Sequence, residues 1–119
     1  MILIEIRRLL KAFTYSRDGL VASFREDAPF RLEVLLSVII LPLAFCLGNS
    51  GVEHSLLIGS WLLVLVAELL NCGLESLTDY ATKKELHPLA KKTKDVGSAA
   101  VLIAVVNFLI VWAAIFFSV

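Results

Sequence analysis

Cysteine is scarce in this sequence, with Cys46 and Cys72 the only two, and so is histidine, with His54 and His87. That scarcity excludes a disulfide-stapled scaffold and a zinc site built from clustered thiolates and imidazoles. The nucleotide signatures of soluble enzymes are missing too: there is no GxxxxGK[ST], and no GxGxxG in a βαβ context. Residues 1–25 have no short apolar stretch ending in a small-residue cleavage site, so no secretory signal is expected to be removed. Charge is absent from the whole of 98–119, a run of 22 residues.

What is abundant is apolar surface. Apolar side chains make up 59% of the 119 residues and the mean hydropathy is +0.87, whereas a soluble globular chain is about 45–50% apolar. The bilayer is therefore the expected solvent of a single domain covering 1–119. Three stretches are long enough for a hydrocarbon core of about 30 Å: 30–47, 55 to about 75, and 98–119. Pro42 lies inside the first and is expected to kink it without ending it.

Net charge is zero, yet all eleven Lys and Arg fall within 7–31 or 83–94, and the GNSGVEH loop (48–54) has none. By the positive-inside rule both basic regions face the cytoplasm, which puts the N-terminus inside, the 48–54 loop outside and the C-terminus outside. Three crossings satisfy this; two or four do not. That topology separates Cys46 from Cys72 and His54 from His87, so neither pair bonds or shares a metal. Both cysteines are expected to act as small apolar packing residues. Trp61 and Trp112 fall in the outer halves of their spans, as interfacial anchors or as core packing residues.

Ahead of the spans, residues 2–25 carry Ile6, Leu9, Leu10, Phe13, Leu20 and Phe24 within roughly 100° of helical arc, the pattern of a helix lying on the membrane. Arg17 interrupts the apolar face. Asp27, followed by Ala28 and Pro29, marks a break before the first span, where an acid can cap the next helix. In the last span Ala100 and Ala104 have small-xxx-small spacing, and Asn107 is the one polar residue at depth, suited to a hydrogen bond with a neighbouring helix. Expected elements are thus a surface helix at 2–25 and spanning helices at about 30–47, 55–79 and 94–118, an all-α membrane fold.

The chemistry concentrates in AELLNCGLESLTDY (67–80). At about 100° per residue Glu68, Asn71, Glu75 and Asp79 fall at roughly 0°, −60°, −20° and +20°, one stripe about 16 Å long. A carboxylate beside hydrocarbon costs a few kcal/mol, so Glu68 needs a partner, a proton or a metal. Oxygen donors alone suit a hard cation such as Mg²⁺, which takes one or two carboxylates and completes its shell with phosphate oxygens. In KKTKDVGSAA, Lys91, Lys94 and Ser98 share a face on the same side of the membrane, with Asp95 beside them. Carboxylates, cation and lysine at an interface are the parts of phosphoryl transfer, although ion-coupled transporters also bury carboxylates in small bundles.

AELLNCGLESLTDY resembles the AExxNxxxExxxD signature of the small integral-membrane bacterial diacylglycerol kinases, and HPLAKKTKDVGSAAVLIA is similar to their second signature. The likeness runs from about Arg8 to Ser118 through RLLKAFTYS and FRLE. It implies a homotrimeric bundle in the bacterial inner membrane, using ATP and Mg²⁺ to phosphorylate the hydroxyl of diacylglycerol to phosphatidate, with active sites between subunits at the cytoplasmic interface. It further implies Glu68 as the base near the lipid hydroxyl, Glu75 as the principal metal ligand, and Asp27 as a second metal ligand where relatives carry Glu. Lys94 would contact the phosphates; Asn71, Asp79 and Asp95 would line or support the site. Arg8, Tyr15 and Ser16 match surface-helix positions near lipid or nucleotide, and Ser98 faces the lipid substrate. Tyr80, Asp18 and Val21 depart from residues that are often basic in the family. Undecaprenol is the alternative acceptor within the family. A small proton-coupled exporter and a non-catalytic membrane assembly factor are the readings from other classes.

Overall fold

The computed structural model describes residues 1–118 and consists of four helices, α1 (Ile2–Glu26), α2 (Ala28–Leu47), α3 (Gly51–Thr82) and α4 (Pro88–Phe117). Val119, the last residue of the expected third span, lies outside the described residues. Three of the helices, α2, α3 and α4, are long and apolar enough to cross a membrane, with mean hydropathies of 2.2, 1.9 and 2.7.

The helix ends follow from local chemistry. Asp27 is extended (φ −109°, ψ 103°) between α1 and α2, and Pro29 sits in the first turn of α2, where its missing N–H has no helical partner to lose. No side-chain cap is made by Asp27, so the acid is left available for other work. Arg31 of α2 reaches back instead, donating from Nε to Phe24 O and from Nη2 to Arg25 O, both at 2.9 Å. It thereby satisfies carbonyls that the end of α1 leaves open. As expected, α2 continues through Pro42 and stops at Gly48. A side chain at Gly48 would meet the His54 ring, Cβ to Cδ2 at 2.6 Å, so the turn needs glycine for space. Ser50 Oγ accepts from Glu53 N (3.2 Å) while Glu53 Oε1 accepts from Asn49 N (3.0 Å), a reciprocal cap that starts α3 four residues before the position read from hydropathy.

Two further boundaries correct the sequence reading. The third helix runs on to Thr82, past the expected end at 79, and closes with Lys83 and Lys84 in the left-handed region (φ 54° and 62°). The fourth begins at Pro88, not 94, because His87 Nδ1 accepts from Leu89 N (3.1 Å) as its cap and proline fits the first turn. Hydropathy locates the apolar portion of a helix; caps decide its ends.

Helices α3 and α4 share the most extensive packing, with α2 against α3 and α1 against α2. One cluster, Ala44, Leu57 and Ile115, closes the end near the 48–50 turn; a second, Trp61, Val64 and Ala104, fills the middle. Phe108 stacks at 5.2 Å from both Trp61 and Trp112. Trp61 Nε1 donates to Ser37 Oγ (2.7 Å) and Trp112 Nε1 to Leu57 O (3.2 Å), so both tryptophans are core residues with their polar edge satisfied inside the bundle. Leucine, isoleucine, valine and phenylalanine cover the outward faces of α2, α3 and α4, the surface that acyl chains require. A helix of 32 residues is about 48 Å long, so α3 exceeds a hydrocarbon core of about 30 Å and carries its C-terminal turns beyond it.

Candidate active site

Below the Trp61 cluster the interior turns polar. Glu68 is 5% exposed on α3. Its neighbours are Cys72 and Asn71 of the same helix, Glu75 one turn further, and Asp27 from the α1–α2 junction. Cys72 Sγ donates to Glu68 Oε1 across 3.7 Å. From α2 comes Glu33, whose Oε2 is buried without a hydrogen-bond partner and whose charged neighbour is again Glu68. Two spans and the α1–α2 junction thus converge on one carboxylate.

Asn71 is also buried, 9% exposed, and its Oδ1 has no partner. That oxygen lies against Gly97 of α4, where an added Cβ would overlap it and come within 3.4 Å of Leu74 Cδ1. The close approach of α3 and α4 at this level requires Gly97 to have no side chain.

A cleft of about 500 Å³ opens beside this cluster, walled on one side by Ser16, Ser23, Glu26 and Asp27 and on the other by Cys72 and Ser76. The surface helix thus forms one wall of a chamber whose other wall is the Leu69, Cys72, Gly73 and Ser76 face of α3, beside the acidic stripe. Further along α3, Glu75 is exposed and Asp79 is partly covered. Asp79 Oδ1 pairs with Lys94 Nζ at 2.6 Å, joining α3 to α4, and Lys91 Nζ pairs with Asp95 Oδ2 at 2.6 Å. Asp79, Lys84, His87, Lys91 and Lys94 surround a smaller recess of about 190 Å³.

Of the site residues expected from sequence, the fold puts Asp27 and Ser16 in the chamber lining, sets Glu68 beside it next to Asp27, turns Asn71 toward the α3–α4 cleft, and ties Asp79 to Lys94. Arg8 and Tyr15 stand exposed on α1, and Ser98 on α4, outside the lining of the 500 Å³ cleft. Asp95 is held by Lys91, in an ion pair separate from that of Asp79 with Lys94. Two residues were not assigned to the site from the sequence. Cys72, read as packing, lies about 40° from Glu68 on the helical projection, at the edge of the stripe on the side that faces the chamber. Glu33, in the FRLE segment, is a carboxylate one turn inside an apolar span, and that position was its signal.

Among the described residues, no three His, Cys, Asp or Glu side chains form a closed metal cage. An open set nevertheless fits a hard cation that arrives with polyphosphate, since such an ion needs only one or two protein carboxylates. Glu75, exposed and near both Glu68 and Lys94, and Asp27, uncapped at the chamber wall, are the oxygen donors available.

Comparison with known proteins gives a consistent picture. The family model described as prokaryotic diacylglycerol kinase matches residues 14–116. A diacylglycerol kinase of Pseudomonas aeruginosa is 44% identical over 110 residues, 92% of this chain and 89% of that protein. One from Helicobacter pylori is 42% identical over 106 residues, 89% of this chain and 82% of that protein. The diacylglycerol kinase of Escherichia coli K12 is 37% identical over 111 residues, 93% and 90% respectively.

Proposed function

This chain belongs to the prokaryotic diacylglycerol kinase family, and from that membership we propose that it transfers the γ-phosphoryl group of ATP to the free hydroxyl of diacylglycerol, yielding phosphatidate and ADP. Membership in a kinase family removes the exporter and the assembly factor. The reaction is assigned to the cytoplasmic interface of the bacterial inner membrane, with the N-terminus inside, because both basic regions then face the cytosol.

The observation that carries the reading is a carboxylate, Glu68, buried in an apolar span beside a chamber that also meets the surface helix. A lipid hydroxyl is an apolar molecule's one reactive group. It can reach such a depth from the bilayer while the nucleotide stays in water. Glu68 accepts the hydroxyl proton as the oxygen attacks the γ-phosphorus and the bond to the β-phosphate oxygen breaks. Asn71 orients that hydroxyl and the Glu68 carboxylate. Lys94, supported by Asp79 and Asp95, contacts the phosphates, and Tyr15 and Ser16 complete the nucleotide side. Arg8 and Ser98 are assigned to the lipid. Glu75 and Asp27 would hold Mg²⁺, which when bound neutralises phosphate oxygens and favours in-line geometry. Glu75 is exposed in a single chain, and a homotrimer would cover it with a neighbouring protomer, desolvating the site.

Purified protein in mixed micelles with labelled ATP, Mg²⁺ and either diacylglycerol or undecaprenol tests the reading. Label is expected in phosphatidate, and Glu68→Gln should lower kcat by at least about 10²-fold, the scale of a lost general base, with the helical fold retained. Transfer to undecaprenol alone would move the acceptor assignment; undiminished turnover by the Glu68 variant would remove the base.

A further inference from the structure

We propose that the thiol of Cys72 is a positioning residue for this reaction: by donating to Glu68 Oε1 it holds the carboxylate in place and leaves Oε2 to take the proton of the acceptor hydroxyl. The inference rests on the kinase reading and on Glu68 as its base.

Cys72 follows Glu68 by one helical turn, and both are 5% exposed. The 3.7 Å contact is a normal length for a bond from sulfur. A glutamate has three side-chain torsions, so burial alone does not fix where its carboxylate points. The usual anchor would be a cation, yet the ion pairs among the described residues join Arg17 to Asp18, Lys91 to Asp95 and Lys94 to Asp79, and none reaches Glu68. A bidentate guanidinium would in any case occupy both oxygens. A thiol is a weak single donor; it occupies one. Cys72 also lines the 500 Å³ chamber, which places it between the buried base and the space where substrate must lie. Asp27, on the chamber's opposite wall, is the thiol's other acidic neighbour and a second acceptor within its reach, so the S–H lies between two carboxylates, with the 3.7 Å contact made to Glu68.

Serine and alanine at position 72 separate this role from packing, because they have nearly the same volume and differ by one hydroxyl. Both variants are made in a chain whose exposed Cys46 is replaced by serine, and assayed beside wild type and Glu68→Gln. Cys72→Ala is expected to lower kcat roughly five- to tenfold, the effect of one neutral hydrogen bond on a barrier, with KM for ATP within about twofold. Cys72→Ser is expected to restore kcat. Equal kcat in the serine and alanine variants overturns the proposal, whether both match wild type or both fall together. If neither folds, the infrared S–H stretch of the Cys46→Ser protein decides: a band below that of a free thiol supports the bond to Glu68, and an unshifted band refutes it. An inert wild type or an active Glu68→Gln removes the base itself. The Cys72 role alone fails when wild type turns over, Glu68→Gln does not, and alanine equals serine.

Discussion

Gly97→Ala offers a direct measurement of how tightly α3 and α4 close around the candidate site. The glycine is helical with no positive φ, so an added methyl is opposed by space alone. In space it meets Asn71 Oδ1, with Leu74 Cδ1 at 3.4 Å. Asn71 is 9% exposed, and the only relief is rotation of its side chain toward the cleft of about 620 Å³ that it lines with Gly97 and Asn107, which gives up its place beside Glu68. Overpacking of this kind costs about 1–3 kcal/mol, against a gain of about 1 kcal/mol from exchanging glycine for alanine within a helix. A net loss of about 1–2 kcal/mol follows. Removing the obstacle should reverse the sign. In an Asn71→Ala background the same methyl meets nothing closer than Leu74, the propensity gain survives, and Gly97→Ala should stabilise by up to about 1 kcal/mol. The coupling between the two positions is then about 1–3 kcal/mol. Reversible unfolding in mixed micelles of rising SDS fraction, followed by the fluorescence of Trp61 and Trp112, reads all four proteins without depending on turnover. A coupling below about 0.5 kcal/mol, the scatter of independent sites, would refute the argument that Gly97 exists to admit Asn71.

Ser37→Ala should lower stability by about 1 kcal/mol in the same unfolding assay and change the Trp61 emission while leaving KM for ATP unaltered. It removes the 2.7 Å acceptor of the Trp61 indole N–H in an interior where water cannot replace it; an unchanged midpoint would count against that bond. Asp79→Asn frees Lys94 from an ion pair whose side chains are 35% and 42% exposed, so folding stability should fall by less than about 1 kcal/mol. Its effect should appear instead as a several-fold higher KM for ATP; an unchanged KM would argue that Asp79 does not hold Lys94 for phosphate.

Much of the architecture was legible in the order of residues. An uncharged run at 98–119, apolar stretches at 30–47 and after 55, and a bare loop between them can only be stacked as three spans, because hydrocarbon solvates no backbone and few charges. The stripe of Glu68, Asn71, Glu75 and Asp79 was equally plain, since helical periodicity puts residues three and four apart on one face. Helix ends were less so: α3 begins at Gly51 through the Ser50–Glu53 cap and α4 at Pro88 through His87, and hydropathy averages over such single hydrogen bonds.

What a one-dimensional pattern cannot contain is which faces meet. Glu33 reads as a charge at the mouth of a span until α2 turns it toward Glu68. Lys94 reads as one of five loop lysines until α4 sets it 2.6 Å from Asp79. Cys72 was visible at the edge of the stripe, yet whether its thiol packed or donated depended on a rotamer and on the chamber wall supplied by α1. Periodicity fixes directions around one helix axis, and sequence alone therefore determined the spans and the acidic face. The distance between two axes is set by how their side chains interlock, here by Gly97 giving way to Asn71, and only the tertiary structure could decide it.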